Sequence, residues 1–476
     1  MTRESIVHLA VQPRRDDEVL ASWSLLSRAA IKLAEAEMRG RIPEVTGSST
    51  LDPLRAREYA HAPIQGDSSM ICRAGQTSGG CSETETLYVN DEAIEGGSYF
   101  PSKVQTLLLR AAFLDGDLAR DSFQRWRGIV DPMALDQTSF RLLPQLAWNL
   151  VRLGEGDPYL DRWKGTYRRA FAFNSTFFHA MAPVVQVLSA TGIPALVVDE
   201  AAVIATVSGE SGLRPMGDFV ILIPPAEVAR AFDALTAFGW RSTVRFSERL
   251  VASLRGAPFS GPDGRRIDLQ WYLLRENCYP RADEPVWQVT QDRHLGPFGI
   301  RVPCTADQLL HVCVDGLQPG VGTRLPWSAN AFALCVGGDV DWERLVTETA
   351  RRRVALPVRT ALRWIREHLK ASVPDVVMER LEALPVTAAE RRELRAKLNP
   401  WRPTTGLRIR WAHHMRAAAG RGCGRAATLA GFGPYLQQVW GLAHLGQLPS
   451  AVLRRGIERV WERLGRMAPL KRREAE

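Results

Sequence analysis

From Ala170 to Val198 the chain runs for 29 residues without an Asp, Glu, Lys or Arg. That exceeds the ~20 residues a membrane span needs, so the stretch is either a span or a deeply buried part of a globular core. It contains Asn174, His179, Pro183, Gln186, Gly192 and Pro194, and its end, IPALVV, has the look of a strand. The reading that fits is a buried helix running into a buried strand. Length and composition agree: 476 residues, 45% hydrophobic and 24% charged, suit roughly three domains with real cores. A disulfide mini-scaffold and a disordered chain are both excluded. Seven cysteines, odd in number, scattered and never in C-x-x-C, point to reduced thiols and a cytoplasmic setting. The first residues, MTRESIVHLAVQPRRDDEV, have too short an apolar stretch for a signal peptide.

On either side of this run the periodicity is helical. Val19, Leu20, Trp23, Leu26, Ala30 and Leu33 predict a helix over 16–38 within an N-terminal region 1–40. Residues 41–102 dissolve into Gly, Ser, Pro and Thr clusters and read as a linker or loose extension. Region 103–190 is helical, as is 301–400. Between them, 191–300 alternates short apolar strands (Ala195 to Val198, Phe219 to Ile223, Ile267 to Trp271) with an amphipathic helix ending near Gly239. The fold class expected is α+β, a small mixed sheet embedded in helical flanks.

Two acids occupy equivalent places in that core. Asp218 opens an apolar strand after the Gly217 turn, and Asp268 lies inside a second strand. Carboxylates on neighbouring strands suit a divalent cation, since hard ions want oxygen ligands, and two metals can clamp a phosphoryl transfer. A turn residue and a surface pair would account for the same two acids.

The runs GIPALVV, GLRPMGDFVILI, AFGW and IDLQW resemble the uncharacterised bacterial nucleotidyltransferase family of the polymerase-beta-type superfamily. The likeness extends through RLLPQLAWNL, YRRAFAFN, TADQLLH, DWERLV and PYLQQVWGL, covering about 103–465. It implies a nucleotidyltransferase core at 191–300 and Mg²⁺-dependent transfer of a nucleoside monophosphate from a nucleoside triphosphate to an acceptor. Asp218 and Asp268 would hold the metal within one coordination sphere, while Arg214 and Gly217 would support or contact phosphate. The acceptor, a small molecule, peptide or protein, is not named by the resemblance; relatives occur in natural-product and modified-peptide gene clusters.

The departures from that pattern are specific. The strand-end Lys-Gly is Asp199-Glu200 here, two carboxylates where phosphate should approach. The second acid of Asp-x-Asp is Val220, which ligates nothing. Gln270 replaces a histidine, and Asn330 replaces an aspartate in WSANAF. Asp199 or Glu200 could supply a substitute carboxylate. Two readings follow: an impaired enzyme, or an inactive nucleotidyltransferase-fold binding or accessory protein.

The charge sits in the tail. Residues 401–476 hold fourteen Lys/Arg against four acids, so the rest of this +9 chain is nearly neutral. The tail admits a solvated surface, a nucleic-acid footprint or a helix peripheral to a membrane surface. His311 and Cys313 read as core, and His413-His414 as solvated or facing phosphate.

Overall fold

The computed structural model describes residues 100–207, 210–318, 324–398 and 405–456. The expected helix at 16–38, the 41–102 extension up to residue 99, and the last amphipathic stretch beyond 456 lie outside them. The fold is α+β, as the sequence predicts.

Five helices lead into the sheet: α1 (Lys103–Phe113), α2 (Gly116–Ile129), α3 (Gln137–Phe140), α4 (Leu143–Leu153) and α5 (Leu160–Ala190). Their starts are set locally. Ser102 and Gln105 form a reciprocal capping box on α1, and Asp136 accepts from the Thr138 and Ser139 amides of α3. Helix α4 begins with Pro144 and stops at Gly154, whose φ of 70° is left-handed. Then come β1 (Leu196–Val198), α6 (Asp199–Val207), β2 (Val220–Leu222), α7 (Val228–Ala237), β3 (Arg241–Ser242), α8 (Glu248–Ser253), β4 (Gly256–Ser260) and β5 (Arg266–Gln270). After α9 (Glu284–Gln288) a hairpin follows, β6 (Thr290–Leu295) and β7 (Phe298–Pro303). The rest is helical: α10 (Thr305–Asp315), α11 (Arg324–Gly337), α12 (Trp342–Arg352), α13 (Ala355–Leu369), α14 (Asp375–Ala383), α15 (Ala388–Leu398), α16 (Thr405–Gly420) and α17 (Arg425–Val439).

The sheet order is β1-β2-β5-β4-β3, with β2 and β5 parallel and the other pairs antiparallel. Side-chain alternation splits it into two faces. Val197, Ile221, Ile267 and Leu269 point to one core, where Met181, Val184 and Leu188 of α5 and Leu235 of α7 meet them. Val198, Val220 and Leu222 point to the other, with Leu146 of α4, Leu309 of α10 and Leu362 of α13. Helix α5 is long and apolar enough to cross a membrane, yet its apolar face is the floor of the sheet. The uncharged run is thus a buried helix entering a buried strand.

Strand β4 must approach β5 closely. A Cβ on Gly256 would lie 2.5 Å from the Leu269 carbonyl oxygen and 2.9 Å from Gln270 Cα, both backbone atoms that cannot yield cheaply. Gly256→Ala should therefore destabilise the protein by about 1–3 kcal/mol through overpacking, measured by urea unfolding. Wild-type stability in that variant would mean β4 can slide without cost.

Candidate active site

The site begins with strand register. The parallel pair β2/β5 sets Val220 opposite Asp268, and the Asp268 amide donates to the Phe219 carbonyl at 2.9 Å. Asp218 therefore enters the sheet one step before the point where β5 delivers Asp268. By alternation Asp218, Val220 and Asp268 share a face. Asp218 and Gly217 are exposed and Asp268 is half-buried. Burial raises the Asp268 pKa above the usual carboxylate value, the Asp218 and Asp199 charges raise it further, and Arg255 and Arg275 oppose them. Three like charges therefore crowd one end of the sheet, with two guanidinium groups as counterweight.

One side chain that sequence reasoning did not assign a role shapes the loop before Asp218. Asn174, fully buried on α5, donates Nδ2 to the carbonyls of Ser211 and Arg214, and its Oδ1 accepts from the Met216 amide at 3.1 Å. A single amide thus clamps residues 211–216 and aims Gly217-Asp218 at the sheet edge. The only signal was a polar residue inside the uncharged run.

Arg214 is a loop-support residue. Its guanidinium donates to Asn330 Oδ1 at 2.7 Å and lies 5.8 Å from the centre of the Phe113 ring. Burial pulls its pKa down to about 10, with Glu200 resisting. Its Nε is buried without a hydrogen-bond partner among the described residues. Asn330, which stands where an aspartate was expected, is the group that holds it.

Asp199 and Glu200, the pair standing in the Lys-Gly place, begin α6 directly after β1. Asp199 takes φ 62°, a left-handed conformation uncommon for a residue with a Cβ and most accessible to Asp and Asn. Glu200 is tied to Arg141, whose terminal nitrogen reaches both carboxylate oxygens at 2.7 and 2.8 Å and the Pro215 carbonyl at 2.6 Å. Burial raises the Glu200 pKa and Arg141 offsets this. Glu200 therefore serves to brace the 211–217 loop through Arg141, and Arg141 too had no role in the sequence reading.

Gln270, in the usual histidine place, accepts from Arg255 Nε at 2.9 Å. Arg255 also grips both oxygens of Asp315, at 2.6 and 2.9 Å, and His311 lies 3.3 Å from the same carboxylate. Although burial would raise it, Arg255 and His311 hold the Asp315 pKa far below the ordinary range. His311 and Cys313 are core residues, as read from the sequence.

A divalent ion fits this donor set in part. Asp218 and Asp268 are carboxylates whose mutual repulsion a cation would relieve, and Mg²⁺ commonly takes only one or two protein carboxylates. Val220, buried beside them in apolar packing, adds no ligand. The pair thus offers two carboxylates to a single ion, with Asp199 the further acid whose charge reaches Asp268. Among the described residues, the group of three whose ligand atoms all lie within 4.8 Å of each other is elsewhere: Glu276, Glu393 and His413. There Lys397 already acts as the cation, bonded to Glu276 and lying 3.0 Å from Glu393, while Arg416 binds Glu393 at 2.9 Å. His413 and His414 are buried, not solvated or phosphate-facing. His413 sits over this cluster, and His414 Nε2 lies 2.8 Å from the Thr428 carbonyl.

No curated protein matches the chain. Residues 138–370, from α3 to the end of α13, contain the whole sheet and all the residues above except Phe113 and those from Glu393 onward. That stretch matches the model of a family described as uncharacterised nucleotidyltransferase, which supports a place for it in a nucleotidyltransferase family.

Proposed function

We propose that this chain binds a nucleoside triphosphate with one divalent ion and passes the nucleoside monophosphate to an acceptor, slowly. The observation that carries this reading is the β2/β5 register, which brings Asp218 and Asp268 to one face of the sheet with their charges coupled. A nucleotidyltransferase family implies a nucleotide substrate. In the reaction an acceptor oxygen bonds to the α-phosphorus as the bond to pyrophosphate breaks, and the acceptor proton must leave. Bound between Asp218 and Asp268, Mg²⁺ would offset the charge on the phosphates. The acceptor proton would pass to solvent at the exposed Asp218 end of the sheet. Arg275, exposed and close enough to influence Asp268, adds positive charge beside that carboxylate.

Gly217 supports a ligand-facing role. A Cβ there would meet nothing within 4 Å, and the backbone is not left-handed, so the fold itself does not demand glycine. Gly217→Ala should leave thermal stability unchanged and weaken nucleotide binding, because the added methyl group would occupy space that phosphate needs. Calorimetric titration beside a melting curve checks both halves; unaltered binding would remove Gly217 from the site.

The reading as a whole is tested by titrating the full chain with each nucleoside triphosphate, with and without Mg²⁺. Weak Mg²⁺-dependent binding is expected, and Asp268→Asn should lower it at least about tenfold, some 1.4 kcal/mol. Binding indifferent to Mg²⁺ or to Asp268→Asn would reject it. A second reading, an accessory protein that has lost transfer, draws on Val220 in the core and on Glu200 committed to Arg141. Complete absence of nucleotide binding would favour that one.

A further inference from the structure

From Leu394 to Ile457 the chain runs for 64 residues without an Asp or Glu while holding ten Lys or Arg. Among the described residues, acids from outside the run pair with two of these: Lys397 with Glu276 and Glu393, and Arg416 with Glu393. Arg421 donates instead to the carbonyls of Ala252 and Cys278, and Arg455 lies 5.0 Å from the centre of the Trp440 ring. Such contacts leave both charges uncancelled. Helix α8, packed against α17, brings Glu248 and Arg249, which sum to zero. The residues beyond 456 add six cations and four acids, so counting them leaves the sign unchanged.

Aliphatic side chains stand out from the same run. Residues 448–456 are helical and lie along α17. A Cβ on Gly433 would meet Leu448 at 3.7 Å, and Arg455 covers Trp440, the C-cap of α17. Both contacts advance seven residues on each helix, so the two run side by side in the same direction. From this pair project Leu429, 66% exposed, and Leu453, 65% exposed, with Leu445 and Val452. Leu429 is one helical turn from Gly433, against which Leu445 also rests, so these two are neighbours. Arg425 is exposed one turn before Leu429, and Arg454 is exposed next to Leu453. We infer that this surface docks on an anionic lipid bilayer. Its aliphatic side chains enter the boundary between headgroups and acyl chains, and its arginines meet the headgroup phosphates. Leucines that stand two-thirds in solvent suit insertion, whereas a peptide helix is held by side chains recessed in a groove. Single-stranded nucleic acid is held on open aromatic faces, but these side chains are aliphatic and the tryptophan beside them is covered by Arg455.

The test sediments the full chain with vesicles of equal parts phosphatidylglycerol and phosphatidylcholine, and with vesicles of phosphatidylcholine alone. Binding to the mixed vesicles is expected, weakening as salt screens the arginines, with much less binding to the neutral ones. Leu429→Ser with Leu453→Ser should raise the lipid concentration for half-maximal binding at least about tenfold. The melting temperature should stay where it was, because both side chains are already exposed; should it fall, Leu429→Ser alone is read instead. Arg425→Glu with Arg454→Glu should weaken binding to a similar degree and flatten its salt dependence. No binding by the wild type, or equal binding to neutral vesicles, would overturn the inference. Variants that bind as the wild type does would also overturn it, assigning the affinity to residues beyond 456. So would release of the bound protein by a single-stranded oligonucleotide, which would make this a nucleic-acid surface.

Discussion

Arg352→Met should cost about 3–5 kcal/mol of stability, the usual result of removing one partner from a buried ion pair. The Arg352 side chain is fully enclosed, and it donates to Asp283 at 2.7 Å and to Glu348 at 3.2 Å. Asp283 in turn accepts from the Leu273 amide at 2.8 Å, just past the end of β5. Arg352 thus ties the end of α12 to the strand that delivers Asp268. Methionine fills much of the volume but leaves Asp283 buried without its cation. Glu348 keeps Arg351, so most of the loss belongs to Asp283. Denaturant unfolding measures the cost. Arg352→Met combined with Asp283→Asn should recover part of it, because no buried charge is then stranded. A single variant as stable as wild type would mean that water reaches Asp283.

The same position shows how far the sequence alone can be read. Arg351-Arg352-Arg353 looks like a charged surface, yet the middle residue is buried while Arg353 is exposed with a left-handed φ of 54°. Nothing local distinguishes them; the partner that decides, Asp283, is distant in sequence. His413 fails for the same reason: its neighbours are basic, but it sits over Glu276, supplied by the loop after β5. The strands β1, β2 and β5 were legible because each is a short apolar run bounded by turn residues, buried on both faces by helices. Strand β4 was not, since Gly256 and Pro258 both argue against a strand, and the close approach that requires glycine exists only once β5 is in place. The β6/β7 hairpin was hidden by the polar TQDRHL, and β7 runs past the expected core boundary at 300 to Pro303. Asp218 and Asp268 stand out in the sequence because glycine turns and apolar runs mark them. Asn174 and Arg141, which shape the loop before Asp218, act across long sequence separations and left no pattern.

Val220→Asp is where the missing ligand and the cost of supplying it meet. Val220 is 3% exposed and packs with Val198 and Leu222 into the larger core, opposite Asp268 in the parallel register. A carboxylate there would be desolvated and would face two like charges, Asp268 and Asp218. Without metal the variant should lose roughly 3–5 kcal/mol, as an uncompensated buried charge does. A divalent ion supplies the compensation and binds only the folded chain, so stability should return with Mg²⁺ by mass action. About 2.7 kcal/mol is regained when the ion is a hundredfold above its dissociation constant. Wild type, with two carboxylates there instead of three, should gain less over the same titration. Val220→Asn is the control, matching the shape without the charge; its deficit should persist at every Mg²⁺ concentration. Melting curves of the three proteins across a Mg²⁺ series decide the matter. Equal rescue of Val220→Asn, or none for Val220→Asp, would show that no metal can sit between β2 and β5, and the one-ion reading of Asp218 and Asp268 would fall with it.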